Sequence, residues 1–232
     1  MAKSRIIKEL ANGEVSLYTA LKRVKVLLQE FDNEGLLRWV NCELVGYPTE
    51  ADLPDYRLLH GQLKGTYFKG SLANNITYRD VPISLGNMDK EKRDFLLRLP
   101  FYDGVEGLAK LIQVADKGEI NAPVAAEWYP IIAHANNDRY MNIATARVVG
   151  SVQMVQNILS VVESRLLDIL RYLEKQFGCL DELDIDVDAK GEATKNEIIQ
   201  HIYFLVYNDN RVSIGDNNRL KNVDINTAPD TD

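Results

Sequence analysis

The acidic pattern whose spacing most resembles a ligand set is Asp186-Val187-Asp188-Ala189-Lys190-Gly191-Glu192-Ala193-Thr194-Lys195-Asn196-Glu197. It matches the calcium loop of an EF-hand at positions 1, 3, 6 and 12: Asp186 and Asp188 offer oxygens, Gly191 the sharp turn and Glu197 a bidentate carboxylate. Lys190 at position 5, however, puts an ammonium where a third oxygen belongs, and Ala193 replaces the usual branched apolar residue. The stretch therefore reads as an exposed acidic linker opening a helix at the end that favours negative charge, with no metal assigned. The same residues contain Asp188-Ala189-Lys190, a carboxylate-x-lysine arrangement with which one class of nucleases holds Mg²⁺ and orients water. A strand-borne upstream Asp is missing. A metal-dependent nuclease or other hydrolase toxin using Asp186, Asp188 and Glu197 is retained as the alternative reading.

Familiar catalytic signatures are absent: no glycine-rich phosphate loop closing on Lys-Ser/Thr, no His-Glu-x-x-His, no Gly-x-Ser-x-Gly and no Cys-x-x-Cys. His60, His134 and His201 have no mutual spacing that makes a ligand set, so each reads as a structural or surface residue. Bases stack on exposed rings flanked by cations, and Tyr67, Phe68, Lys69, Tyr78 and Arg79 fit that pattern loosely. Strands carry the same composition for packing reasons, which is the simpler reading.

The elements that must position these residues follow from hydrophobic period. Leu17, Ala20, Leu21, Val24, Leu27, Leu28 and Phe31 recur at three- and four-residue steps behind Ser16, an N-cap residue, and predict an amphipathic helix. After the turn Asp32 to Gly35, Leu36, Leu37, Val40 and Leu44 predict a second helix, ended by Gly46 as a left-handed cap and Pro48 as a stop. So short a connection predicts an antiparallel helical hairpin. From Tyr56, glycines at 61, 65 and 70 punctuate strand-like runs. Helical spacing returns over Asp89 to Leu99 and Val105 to Val114. Ala122 to Ala135 is ambiguous, since Pro123 suits a first helical turn and Pro130 would interrupt a helix interior; Tyr140 to Val149 reads as a strand. Val152 to Phe177 then holds the helical period for seven turns between Ser151 and Gly178, a rod of about 39 Å. Glu163, Arg165, Asp168 and Arg171 make it a packing helix, not a membrane span. A short helix around 196–206 follows the acidic segment.

With 232 residues and 46% hydrophobic content, the chain is long enough for one large domain or two small ones with a true core. Its 27 basic against 34 acidic residues, a net charge of −7, argue against a sequence-independent grip on nucleic acid or anionic lipid. Cys42 and Cys179 each lie in helix-like apolar surroundings and read as buried free thiols in a reducing, cytoplasmic compartment. Lys3, Arg5, Lys8 and Glu9 break the N-terminal apolar run, which excludes a signal peptide or membrane anchor there.

One segment is distinctive beyond its period: Trp39-Val40-Asn41-Cys42-Glu43-Leu44-Val45-Gly46-Tyr47, followed by Leu53-Pro54-Asp55-Tyr56-Arg57. Trp39 and Glu43 are four apart on one helix face with Tyr47 a further turn on, and Arg57 opens the first strand. A charge-assisted Glu43–Arg57 pair, shielded by Trp39, would pin strand to hairpin. The pieces W-x-x-x-E-L-x-G-Y and P-x-Y-R, carried by Trp39, Glu43, Gly46, Tyr47, Pro54, Tyr56 and Arg57, resemble those of the AbiTii family, named after a component of a two-gene lactococcal abortive-infection system. The recognisable motifs cover about the first sixty residues. The resemblance implies a bacterial cytoplasmic role in phage defence, acting with a co-encoded defence protein or a phage-derived trigger. It brings no established catalytic residues and no cofactor, and enzymatic activity is not required.

The fold class expected is α+β, with an N-terminal helical hairpin, a small antiparallel sheet, a long amphipathic helix and a C-terminal β-ribbon tail. The divisions expected are an α+β domain at 1–178, an acidic linker with a short helix at 179–207, and a ribbon with disordered end at 208–232. The tail alternates apolar and polar residues on either side of Gly215-Asp216-Asn217-Asn218. An isolated two-stranded ribbon is marginal in water, so Val212, Ile214, Val223 and Ile225 are expected to be covered by a second copy in a homo-oligomer.

Overall fold

In the computed structural model, residues 3–48, 53–71 and 74–207 are described. Among them, the N-terminal helices are α1 (Arg5–Ala11), α2 (Leu17–Gln29) and α3 (Glu34–Val45). A 3-10 turn (Asp55–Arg57) leads into β1 (Leu58–His60), β2 (Gln62–Ser71) and β3 (Asn74–Pro82). Then come α4 (Lys90–Leu97), β4 (Arg98–Pro100), α5 (Val105–Val114), β5 (Glu119–Pro123), α6 (Trp128–Ala135), β6 (Met141–Ser151), α7 (Val152–Phe177) and α8 (Glu192–Tyr207). The fold class is α+β, and no helix is long and apolar enough to cross a membrane among the described residues.

Local chemistry sets these boundaries. The Ser16 hydroxyl accepts from the Thr19 N–H and the Asn33 carboxamide from the Leu36 N–H, so α2 and α3 both begin on side-chain caps. The stretch 122–135 divides where the prolines dictate. Pro123 closes β5 on a sheet edge, not in a first helical turn, and Pro130 is the third residue of α6, where the N–H has no helical partner in any case. The last helix starts at Glu192, four residues before the expected Asn196.

β1 and β4 pair antiparallel, Leu58 opposite Pro100. The larger antiparallel sheet runs β3-β2-β6-β5, with Leu63 opposite Val148 and Tyr67 opposite both Ile143 and Tyr78. Two core clusters result. In the helical one, Leu21, Val24, Leu28, Trp39 and Val40 pack on Val162, Leu166, Ile169 and Leu173 of α7. The other sets Leu63, Ala146 and Val148 of the sheet against Leu96, Leu108 and Ile132. α7 belongs to both, through Val155 and Ile158 at one end and Val162 to Leu173 at the other. Leu180, Ile185, Val187, Ile198, Ile202 and Val206 also turn into the helical cluster. The cysteines depart from expectation: Cys42 is only half-buried, and Cys179 lies exposed beyond the end of α7.

The N-terminus is latched to the far end of α7. Ser4 is fully buried; its N–H and hydroxyl donate to Glu174 Oε1 at 2.5 and 2.6 Å, and its hydroxyl accepts from the Leu180 N–H at 3.0 Å. Burial raises the Glu174 pKa, but the Ser4 hydrogen bonds and nearby Lys3 outweigh it and hold the carboxyl below its usual 4.5. A depressed carboxyl pKa adds stability above the unfolded value and loses it as pH falls through the folded one. Urea denaturation of Ser4→Ala should show a loss of about 2 kcal/mol at pH 7. The difference from the unaltered chain should shrink as pH drops below 4.5; a constant difference down to acid unfolding would show that Glu174 is not the partner.

Candidate functional site

The AbiTii-like motif residues come from three consecutive pieces of chain. Trp39 and Glu43 lie on the buried face of α3, one turn apart. Tyr47 does not continue that helix, because the chain leaves it at Gly46. This glycine caps α3, its N–H donating to the Cys42 carbonyl at 2.9 Å, but not in the left-handed helical conformation: at φ 115 and ψ 163 it occupies a region open essentially to glycine, and a Cβ there would meet the Tyr102 carbonyl at 2.8 Å. The close approach forms a bridge between Gly46 and Asp103, and the Tyr47 N–H donates to the Tyr102 carbonyl at 2.7 Å. Pro54 starts the 3-10 turn that carries Tyr56 and Arg57, its carbonyl accepting from the Arg57 N–H at 2.8 Å; the strand proper begins one residue later, at Leu58.

These side chains converge on the Glu43 carboxylate, which is fully buried, as is Arg57. Arg57 Nη2 donates to Glu43 Oε2, while Tyr47 and Tyr56 each donate a phenol hydrogen to Oε1 at 2.6 Å. Trp39 Nε1–H donates to the Tyr56 hydroxyl at 3.2 Å. Arg57 Nη1 spans to the carbonyls of Phe101 and Asp103, and the Phe101 N–H donates back to the Arg57 carbonyl at 3.0 Å. The guanidinium also lies 5.0 Å from the centre of the Tyr47 ring. Its Nε is buried without a partner among the described residues. From α7, the Arg165 guanidinium stacks 4.4 Å over the Tyr56 ring and donates to the Val206 carbonyl of α8.

Both phenol pKa values are pushed far above the ordinary range, first by burial and then by the adjacent Glu43 charge. Tyr47 and Tyr56 are therefore neutral donors at any physiological pH. The carboxylate has both oxygens engaged, so it is poorly placed to take a proton from a substrate. What the arrangement does physically is tie α3, the 54–57 turn, the 101–103 loop and α7 together. Sequence spacing pointed to the Glu43–Arg57 pair, and the two do touch. The carbonyls of Phe101 and Asp103 and the Arg165 stack carried no sequence signal, since any residue type supplies a carbonyl and Arg165 has the look of a solvent-facing charge.

The acidic alternative is arranged differently. Asp186 Oδ1 accepts from the Ala189 N–H at 2.9 Å, closing a local turn. Asp188 to Lys190 form a 3-10 turn, and Gly191, at φ 74, leads into α8, which contains Glu197. Among the described residues no group of three His, Cys, Asp or Glu is placed to hold a metal ion. Val212, Ile214, Val223 and Ile225 lie outside the described residues.

Fold and site together define an α+β protein organised around a buried polar clamp built by its own motif residues. The AbiTii family model matches residues 4–198, and the chain belongs to the AbiTii family. Membership implies an abortive-infection role in antiphage defence. No curated protein and no solved structure matches the chain.

Removing one member of a buried ion pair strands the other charge. Arg57→Ala should therefore cost about 3 to 5 kcal/mol in chemical denaturation, and Glu43→Gln less. Small, additive losses in the single and double variants would show that the pair carries no coupling. Alkaline titration gives a second check. A raised phenol pKa favours the folded state below the unfolded value, near 10, and that contribution falls as pH rises above it. Tyr47 and Tyr56 should be among the tyrosines that ionise only with unfolding, and Tyr47→Phe or Tyr56→Phe should each remove one from that late class; an unchanged late class would contradict the assignment.

Proposed function

We propose that the chain is an antiphage abortive-infection component acting in the bacterial cytoplasm through protein–protein interaction with a co-encoded defence protein or phage-derived trigger, with no catalysis of its own required. The observation that carries this reading is the enclosure of the motif. Its one carboxylate and one guanidinium face each other at zero exposure, so the residues that mark the family are spent on architecture. What then remains for function is the outer surface, where Val45, Phe95 and Val114 expose apolar side chains suited to a partner. The tail 208–232 adds a homo-oligomeric contact through Val212, Ile214, Val223 and Ile225, a reading supported by its alternating sequence pattern alone.

Two experiments test these points. Phage plating with this gene and its neighbour, singly and together, should give protection only with both, and the two products should co-purify. Full protection from this chain alone, abolished by Asp186→Ala with Asp188→Ala, would favour the nuclease instead. Light scattering should report an oligomer for the full chain and a smaller species for a chain ending at Tyr207; an unchanged mass would remove the tail from the assembly.

A further inference from the structure

A cleft of about 780 Å³ opens between α6 and the start of β6, within the roughly 300–1,000 Å³ typical of small-molecule sites. Its apolar side is made by the Tyr129 ring, Met141 and Ile143, which extend the sheet-side core toward solvent. Its rim carries His134 and Arg139, both exposed. Arg139 takes part in none of the ion pairs among the described residues, whereas the one carboxylate lining the cleft, Asp138, is neutralised by Lys69 at 3.0 Å. The cleft thus joins an apolar, ring-bearing wall to a rim with a guanidinium that has no ion-pair partner among the described residues.

The sheet continues this surface. Ile143 faces Tyr67 across the β2–β6 ladder, and Tyr67 faces Tyr78 across β2–β3, so the three share one side of the sheet. The two tyrosine rings stack with centres 4.8 Å apart, and Lys69 Nζ lies 5.9 Å from the Tyr67 ring. Phe68 and Arg79, the neighbours of these rings in the chain, alternate to the opposite side. The aromatic and basic residues that fit a stacking pattern only loosely in sequence are therefore sorted by the pleat. Two rings and Lys69 stand beside the cleft's Ile143 on one face, and Arg139, in no ion pair among the described residues, stands on the cleft rim.

We propose that the cleft between α6 and β6 binds a nucleoside phosphate, its base against the Tyr129, Ile143 and Tyr67 surface and its phosphate on Arg139, with His134 beside it. A planar base suits a ring-lined apolar wall, and a guanidinium fork matches phosphate oxygens. A free nucleotide fits better than a long single strand, because the net charge of −7 repels an extended polyanion. The site is separate from the clamp and does not depend on a protein partner.

Isothermal titration calorimetry on the full chain with AMP, GMP, CMP and UMP tests this, with adenosine, ribose 5-phosphate and a single strand of roughly ten nucleotides as comparison arms. At least one nucleotide should bind with Kd below about 1 mM, more tightly than the matched nucleoside or sugar phosphate. Arg139→Ala should weaken it by about tenfold or more. Arg139 is exposed, so its loss should leave the thermal transition unchanged. Ring-proton shifts of Tyr67 and Tyr78 on titration give a readout that needs no variant. No nucleotide binding above that of adenosine or ribose 5-phosphate, an unaltered Kd for Arg139→Ala, unmoved tyrosine rings, or tighter binding of the single strand than of any mononucleotide would each overturn the proposal.

Discussion

A buried carboxylate facing a buried guanidinium is the constraint around which this molecule is arranged. Moving two charges out of water is costly, and their mutual attraction offsets that more fully the more of the remaining lone pairs and N–H groups are satisfied; here the Arg57 Nε–H is left without a partner among the described residues. Here the supply comes from opposite directions. Two phenols and Arg57 serve Glu43, and the carbonyls of Phe101 and Asp103 serve Arg57. Those partners come from the chain just after α3, the 54–57 turn and the loop after β4. Satisfying the pair therefore fixes where α3, the 54–57 turn and the loop after β4 sit, and Gly46 is required because the chain must pass within contact of the Tyr102 carbonyl to get there.

The two core clusters make the consequence larger than local. Apolar packing holds each cluster together but is non-directional, and hydrophobic surfaces slide on one another at modest cost. The clamp lies where they meet: Trp39 and Val105 belong to the helical cluster, Phe101 to the sheet-side one, and Tyr56 touches both. α7 provides the continuous spine, and Arg165, stacked over Tyr56 and bonded to the Val206 carbonyl, extends the polar connection to α8. Directional hydrogen bonds thus set the register that apolar contacts alone would leave loose.

Most of this was legible in the sequence where a local rule applies. The 152–177 helix follows from period and flanking residues, and the Glu43–Arg57 contact from opposite charges beside a helix end with an aromatic one turn away. Departures came where tertiary structure chose among locally equivalent options. Pro123 and Pro130 each admitted two readings, decided by a sheet edge and a helix start. A glycine that only caps a helix and one that also bridges to another segment look identical in sequence; Gly46 caps α3 and in addition pairs with Asp103. Ser4 gave no sign of being buried, because its partners Glu174 and Leu180 are about 170 residues away. The stacking face was also invisible as such: five residues of mixed type became a site candidate only after strand register sorted Tyr67, Lys69 and Tyr78 from Phe68 and Arg79.

If the clamp is what couples the two clusters, its removal should separate their unfolding as well as lower overall stability. Native-state hydrogen exchange at Leu166 and Leu170 of the helical cluster, and at Leu63 and Val148 of the sheet-side one, reads this directly. In the unaltered chain these amides should open with one common free energy. In Glu43→Gln the two groups should diverge, each exchanging through its own partial opening. A common free energy persisting in the variant, whether lowered or unchanged, would contradict the claim that the buried pair joins the two halves of the core.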